Sequence, residues 1–243
     1  MAKLISPMPF GRLSGKLGEL VFRNYPDKIV VSKRPLSFKP GSDPASVNRR
    51  QRFKLASMFA KSVKSLTVAY EIWAKKTQNK MSAYNCVFKH NYDAVEHNDV
   101  SKYVRIFPDS HFLVHPDSFI FTKDYLHVSF NPSDLNIPDY YDVKYMQVAL
   151  IIFCKESLVD YRDECRFLTH LTAPVKISAD GKMSFSLALS NNEILNPDIP
   201  SLNDSQKSVF ASYNSHSVFI AFMALDSYRK YVRNSQTLSI LNQ

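Results

Sequence analysis

The sequence is poor in glycine and cysteine and has no long apolar run. It contains five glycines and three cysteines in 243 residues, and its longest apolar run, residues 218–225, covers eight residues. That run is far below the roughly 20 residues of a transmembrane helix, and the N-terminus lacks the apolar stretch of a signal peptide. Cys86, Cys154 and Cys165 show no paired spacing, and the first two lie in apolar patterns. We therefore expect reduced, buried thiols in a cytoplasmic protein.

Acidic residues are scarce in the first part of the chain. Residues 1–92 contain eighteen Lys or Arg and four Asp or Glu, whereas residues 93–243 contain thirteen and eighteen. The net formal charge is therefore +14 in the first part and −5 in the second. Such separation predicts that the first part meets something acidic, which is either nucleic acid or protein, including the acidic half of a neighbouring copy.

The chain also lacks a recognisable nucleotide or metal motif. The glycine series of residues 11–18 reads G-x-x-x-G-K-x-G, without the spacer or the hydroxyl residue that a phosphate loop requires. His111 and His115 have the spacing of a helical metal pair. Prolines bracket that segment and no third ligand is near in sequence, so we expect two incidental histidines and no bound metal or cofactor.

One acidic cluster could suggest acid–base catalysis, because paired carboxylates serve it when burial separates their pKa values. Basic residues interrupt this cluster, which follows an apolar run and is more typical of a solvated loop. Its members are Glu156, Asp160, Asp163 and Glu164. No nucleophile-elbow, kinase or thiol-protease signature accompanies it. The chain is therefore predicted to be non-enzymatic, with no small-molecule substrate.

Residues 1–100 predict a β-hairpin followed by a pair of helices. Apolar runs at residues 20–22 and 29–31 flank a turn. A helix over residues 43–73 begins with Asp43 as N-cap and Pro44 in the first turn. A helix-spaced apolar stripe follows: Leu55, Phe59, Val63, Leu66, Tyr70 and Trp73. A second helix from about residue 80 to residue 97 should pack antiparallel to the first.

Basic residues cover much of the remaining circumference of these helices and are the candidate contacts for a partner. They are Arg49, Arg50, Arg52, Lys54, Lys61, Lys64, Lys75, Lys76 and Lys80. The alternative is a solvated face that only keeps the protein soluble. Arginine forks at residues 49–52 suit phosphate and carboxylate partners. The nearby aromatics Phe53, Phe59, Tyr70 and Trp73 are expected in the core, which argues against base stacking.

Residues 101–243 predict an antiparallel, Ig-like β-sandwich, so the fold class is α+β. Short apolar runs, separated by turn residues, cover residues 119–121, 126–130, 146–153, 175–177, 183–189, 218–225 and 238–241. Asp180-Gly181 indicates a hairpin between two of them. Residues 190–214 form a long polar insertion that the pattern does not assign. We expect domains at residues 1–100 and 101–243, the second folding alone.

Three segments in order resemble an uncharacterised family of bacterial and phage-like proteins from the Bacteroidota. They are F-G-R-L-S-G-K-L-G-E-L-V-F-R at residues 10–23, R-R-Q-R-F at residues 49–53 and N-K-M-S-A-Y-N at residues 79–85. Apolar runs at residues 143–153 and 218–227 also fit the family pattern. The family's usual N-P-x-T-x-x-Q lead is replaced here by residues 43–48. The resemblance implies an architecture and a phage-like context, and no active site.

Together these features predict a structural or assembly protein of a multi-subunit complex that docks through its basic N-terminal half. The resemblance implies a bacteriophage virion component, such as a head–tail connector, ring or tail region, assembled in the host cytoplasm. The expected partners are other protein subunits, with a homo-oligomer inside a larger assembly and no membrane. The alternative is a nucleic-acid-binding protein that uses the same basic helix.

Overall fold

The structure of the chain is a computed structural model. It describes residues 2–4, 14–25, 28–34, 37, 39–77, 81–96, 99–135, 137, 142–156, 165–177, 182–190 and 199–241. By its internal contacts the chain divides into two units, Met1–Val47 and Asn48–Gln243. The predicted domain boundary at residues 100 and 101 does not coincide with this division.

The first unit contains a four-stranded antiparallel sheet. Its strands are β1 (Ala2–Leu4), β2 (Gly15–Leu17), β3 (Leu20–Asn24) and β4 (Ile29–Lys33), in the order β1-β4-β3-β2. The predicted hairpin is confirmed, because Phe22 pairs with Val31 in the register of β3 and β4. Gly15 and Gly18 have φ values of 107° and 56°, which non-glycine residues rarely adopt. These two glycines shape the β2–β3 hairpin.

Four α-helices lie in the described residues: α1 (Pro44–Ser65), α2 (Thr67–Thr77), α3 (Ala83–Asn91) and α4 (Asp204–Ala211). The predicted N-cap of α1 is confirmed, since the backbone N–H of Ser46 donates to Asp43 Oδ1 at 2.8 Å. A 3-10 turn at Tyr92–Ala94 follows α3. The division between the two units falls in the first turn of α1.

The prediction of one continuous helix over residues 43–73 is wrong, because the helix breaks at Leu66. Ser62 Oγ donates to the Met58 carbonyl at 3.1 Å, and Ser65 Oγ donates to the Ser62 carbonyl at 2.7 Å. Hydroxyls that bind backbone carbonyls in this way weaken the helix ladder. The Leu66 N–H then donates to the Val63 carbonyl, three residues back, and α2 begins at Thr67.

The predicted second helix is shorter than expected at both ends. Ser82 caps α3, accepting from the Asn85 N–H at 3.2 Å, and the helix ends at Asn91. Residues 80 and 97, the predicted limits, lie outside the described residues.

Two antiparallel sheets lie in the described residues of the second unit. The smaller has the order β10-β6-β5, and the larger has β12-β11-β7-β8, with β13 also on β11 and β9 also on β7. The strands are β5 (Ser118–Phe121), β6 (Tyr125–Phe130), β7 (Tyr145–Lys155), β8 (Cys165–Leu171), β9 (Val175–Lys176), β10 (Met183–Ala188), β11 (Ser215–Leu225), β12 (Tyr231–Asn234) and β13 (Leu238–Ile240). The α+β class and the antiparallel β-sandwich are therefore confirmed.

The larger sheet is buried on both faces. Alternate residues of its central strands, such as Leu150 and Phe222, join a core with the smaller sheet. The intervening residues, such as Ile151 and Phe219, join a second core with α1, α2 and α3. This layering explains why β7 and β11 have nearly continuous apolar sequences, since neither face of these strands meets water.

The predicted hairpin at Asp180-Gly181 is wrong in its pairing, and the turn itself lies outside the described residues. Strand β9 pairs with β7 in the larger sheet, whereas β10 pairs with β6 in the smaller. The polar insertion at residues 190–214 contains α4. Sequence reasoning also missed β8 and β12, whose mixed polar and apolar residues resemble those of a connection.

Candidate interaction surface

Helix α1 has one buried and one exposed side. Its buried residues are Leu55, Ala56, Phe59, Ala60, Ser62 and Val63, which lie in the core shared with the larger sheet. An α-helix turns by about 100° per residue. The exposed side, which we call the basic face, therefore presents Arg50, Lys54, Lys61 and Lys64 within a sector of about 80°.

Arg52 is bound by other residues of the chain and does not belong to the basic face. Its guanidinium lies 2.9 Å from the Asp93 carboxylate, and its Nε donates to the Tyr92 carbonyl at 2.9 Å. The same group lies 4.4 Å from the centre of the Tyr92 ring. These contacts join α1 to the turn after α3. The predicted trio at residues 49–52 is thus spread around the helix, since positions 49 and 52 lie about 100° and 160° from position 50.

The other basic candidates also differ in whether they form contacts within the chain. Lys76 forms an ion pair with Asp109, at 2.8 Å and 3.0 Å from its two carboxylate oxygens. Lys75 is exposed at the end of α2. Lys64 lies over the ring of Tyr70 at 5.9 Å. The predicted Lys80 lies outside the described residues.

Phe53 is exposed, contrary to the expectation that the aromatics of α1 are in the core. Its exposed fraction is 58%, whereas Phe59 and Trp73 are fully buried as predicted. Its ring centre lies 4.9 Å from that of Phe88, which in turn lies 5.4 Å from that of Tyr92. The sequence did carry this signal, because Phe53 falls outside the helical spacing of the apolar stripe.

The histidine and carboxylate candidates do not form a site in the described residues. His111 and His115 are exposed and lie outside any helix, and His111 Nδ1 is 3.1 Å from Asn234 Oδ1. Glu156 is half-buried, and the rest of the acidic cluster lies outside the described residues. Among the residues that the structure describes, no group of three or more His, Cys, Asp or Glu could hold a metal.

The cysteines are free thiols, with Cys86 and Cys154 buried as predicted. Burial raises the pKa of both thiols, that of Cys154 to about 12. A thiol with a raised pKa is a poor nucleophile at neutral pH because the thiolate is the reactive form. Both cysteines therefore serve as small apolar core residues.

No protein-family model matches the chain, and no curated protein matches its sequence. The resemblance to the Bacteroidota family therefore stays a hypothesis. Within the described residues, no helix has both the length and the apolar character needed to cross a membrane.

Proposed function

We propose that the chain is a non-enzymatic assembly protein that docks on an acidic protein surface through the basic face of α1. The observation that carries this proposal is the exposed Phe53, which lies one helical turn from Arg50 at the edge of the basic face. Interface hot spots combine an aromatic anchor with charged neighbours, and the anchor supplies most of the binding energy. The Phe53 ring already packs on the Phe88 ring, with ring centres 4.9 Å apart, so part of its side-chain freedom is lost before a partner covers it.

A second copy of the chain is the partner that the charge distribution favours. Residues 93–243 carry a net formal charge of −5, opposite in sign to the +14 of residues 1–92. Complementary charge of this kind fixes register and accelerates association. The resemblance in sequence implies a bacteriophage particle as the setting, where such copies build a connector, ring or tail region.

Native mass spectrometry of the full chain, before and after nuclease treatment, tests the proposal. We expect a multimer that survives nuclease, and a folded monomer when Arg50, Lys54 and Lys61 are all replaced by Glu. The matched control reverses the charge of Lys123, Lys176 and Lys230, which are exposed in the second unit outside α1. A multimer that persists in the basic-face variant, or that is absent from the wild type, would contradict docking through this face.

Nucleic-acid binding is the second candidate, and the exposure of Phe53 favours it more than the sequence did. An exposed aromatic among cations can stack on a base, which contributes about 1–3 kcal/mol. Three phosphate contacts would weaken DNA affinity roughly 40-fold between 50 and 200 mM salt. Fluorescence anisotropy with single-stranded DNA separates the candidates. Tight binding at 150 mM salt that Phe53→Ala and the basic-face variant both abolish would favour nucleic acid over protein.

A further inference from the structure

An open cavity of about 470 Å³ is lined by residues outside α1, the helix that carries the basic face. Its lining, which we call the loop pocket, includes Lys102, Tyr103, Arg105, Asp109, Ser110 and Thr237. This volume falls within the range of small-ligand sites, about 300–1,000 Å³. The lining comes from an irregular segment after α3 and from the residues that follow β12.

Buried side chains fix the backbone that carries these residues. Asn91 is fully buried, and its side-chain amide binds both backbone polar groups of Arg105. Its Oδ1 accepts from the Arg105 N–H at 2.6 Å, and its Nδ2 donates to the Arg105 carbonyl at 3.2 Å. The next residue, Ile106, receives Trp73 Nε1–H on its carbonyl at 2.8 Å and donates to Thr237 Oγ1 at 3.1 Å. The pocket wall is thus preformed, which lowers the entropy cost of binding.

The charge of the wall favours an anion. Asp109 is the carboxylate of the lining, and Lys76 neutralises it through both oxygens. Lys102 and Arg105 form no ion pair with any other residue that the structure describes. Two cations on a fixed backbone match a phosphate group, and arginine can bind it with two parallel hydrogen bonds.

Tyr103 extends the preference beyond a bare anion. Its exposed fraction is 71%, which is unusual for an aromatic residue at the rim of a cavity. Lys102 lies 5.4 Å from the centre of its ring. An aromatic face beside phosphate-binding cations is the arrangement that accepts a stacked base.

We propose that the loop pocket binds a nucleoside phosphate, either free or at the 5′ end of a strand. The phosphate lies between Lys102 and Arg105, the hydroxyls of Ser110 and Thr237 contact the sugar-phosphate, and the base stacks on Tyr103. This site is independent of the basic face, so either proposal can fail without the other.

Isothermal titration calorimetry of the full chain tests the site with adenosine monophosphate, adenosine and inorganic phosphate. We expect adenosine monophosphate to bind more tightly than phosphate, and adenosine not to bind. An octathymidylate with a 5′-phosphate, compared with the same strand without it, distinguishes the two sources of the ligand. Tighter binding of the phosphorylated strand than of the unphosphorylated strand identifies a strand end, and equal binding of the two strands identifies a free nucleotide.

Two variants locate the ligand in the pocket. Replacing Lys102 and Arg105 by Gln should weaken adenosine monophosphate at least about tenfold, since hydrogen bonds to charged groups are strong. Tyr103→Ala should remove the advantage of the nucleotide over phosphate. The control, Lys54→Gln with Lys61→Gln, makes the same charge change on the basic face and should leave the affinity unchanged. The proposal is overturned if wild type binds none of the anions, or if the pocket and control variants bind equally.

Discussion

At the scale of single residues, side-chain amides organise the part of the second unit that has no regular secondary structure. The side-chain amide of Gln236 binds both backbone polar groups of Val114. Its Oε1 accepts from the Val114 N–H at 3.0 Å, and its Nε2 donates to the Val114 carbonyl at 2.9 Å. The amide of Asn234 donates to the carbonyl of Asp109. Because such contacts join positions up to 125 residues apart, no local pattern in the sequence could predict them.

Asn91 should be among the residues most sensitive to substitution. Replacing it by Ala leaves the Arg105 N–H and carbonyl, which are partly buried, without their partner, at about 1–3 kcal/mol per unsatisfied group. We expect Asn91→Ala to lower the free energy of unfolding by about 2–4 kcal/mol in urea denaturation. Asn85→Ala, at an exposed position of the same helix, should change it by less than about 0.5 kcal/mol. Equal effects of the two substitutions would show that the hydrogen bonds between Asn91 and Arg105 contribute nothing to stability.

His216 should make the fold sensitive to acid. Burial lowers its pKa from 6.5, and the bond from Nε2–H to the Phe210 carbonyl offsets only part of that effect. As pH falls below about 6.5, the unfolded state takes up the proton first, so stability present above that pH is lost. Burial lowers the pKa of His170 too, which acts in the same direction.

Urea denaturation at pH 7.5 and pH 5.5 measures this effect. Wild type should be less stable at the lower pH, and His216→Gln should lose part of the difference while being less stable at both. His115→Gln, at an exposed position, is the control and should keep the difference of the wild type. An undiminished difference in His216→Gln would assign the acid sensitivity to other groups.

At the scale of elements, periodicity located the buried strands and the apolar side of α1 but not where helices stop. The break at Leu66 depends on two serine hydroxyls, whose choice of a backbone carbonyl is not encoded in hydrophobic spacing. The pairing of β9 and β10 with different sheets depends on tertiary packing, which overrides a strong local turn signal.

Helix α4 shows an element that the sequence did encode. Asn203 and Gln206 form a capping box, with Oδ1 of Asn203 accepting from the Gln206 N–H at 2.9 Å. Gln206 Nε2 also donates to the Thr169 carbonyl of β8 at 2.9 Å. The N-x-x-Q pattern before Val209 and Phe210 is a recognised start signal, which compositional reasoning about residues 190–214 overlooked.

Loss of this cap should therefore be measurable. Asn203→Ala should lower the free energy of unfolding by about 1 kcal/mol, because the Gln206 N–H loses its acceptor. Ser205→Ala, an exposed position in the same turn, should change it by less than about 0.5 kcal/mol. Chemical denaturation of both variants at pH 7.5 gives the comparison. A loss in Ser205→Ala as large as in Asn203→Ala would point to general weakness of the helix.

At the scale of the whole molecule, helices α1, α2 and α3 share a core with one face of the larger sheet of the sandwich. Sequence reasoning separated them at residue 100 because composition changes there, from basic helices to strands and turns. The change in composition reflects the exposed residues, whereas the core shared by the helices and the larger sheet depends on the alternate residues of β7 and β11. The candidate basic residues were named from sequence, but the ion pairs of Arg52 with Asp93 and of Lys76 with Asp109 follow only from the packing of α1 and α2.

This shared core argues against the expectation that residues 101–243 fold alone. Without the helices, one face of the larger sheet would expose Ile151, Phe153, Phe219 and Met223, all now buried. Exposing four such side chains costs about 6–12 kcal/mol at about 1.5–3 kcal/mol each. That cost approaches the whole stability of a typical domain, about 5–15 kcal/mol.

Two fragments, residues 48–243 and residues 101–243, make the test. The longer fragment keeps the helices and should give a mixed helix and strand circular dichroism spectrum and one cooperative urea transition. The shorter should aggregate on size exclusion or bind the dye ANS strongly, because its apolar sheet face is open. Cooperative unfolding of the shorter fragment as a monomer with little ANS binding would show that the sandwich is an independent domain. The helices would then be a separable docking module, and loss of the basic face could be studied by deletion as well as by substitution.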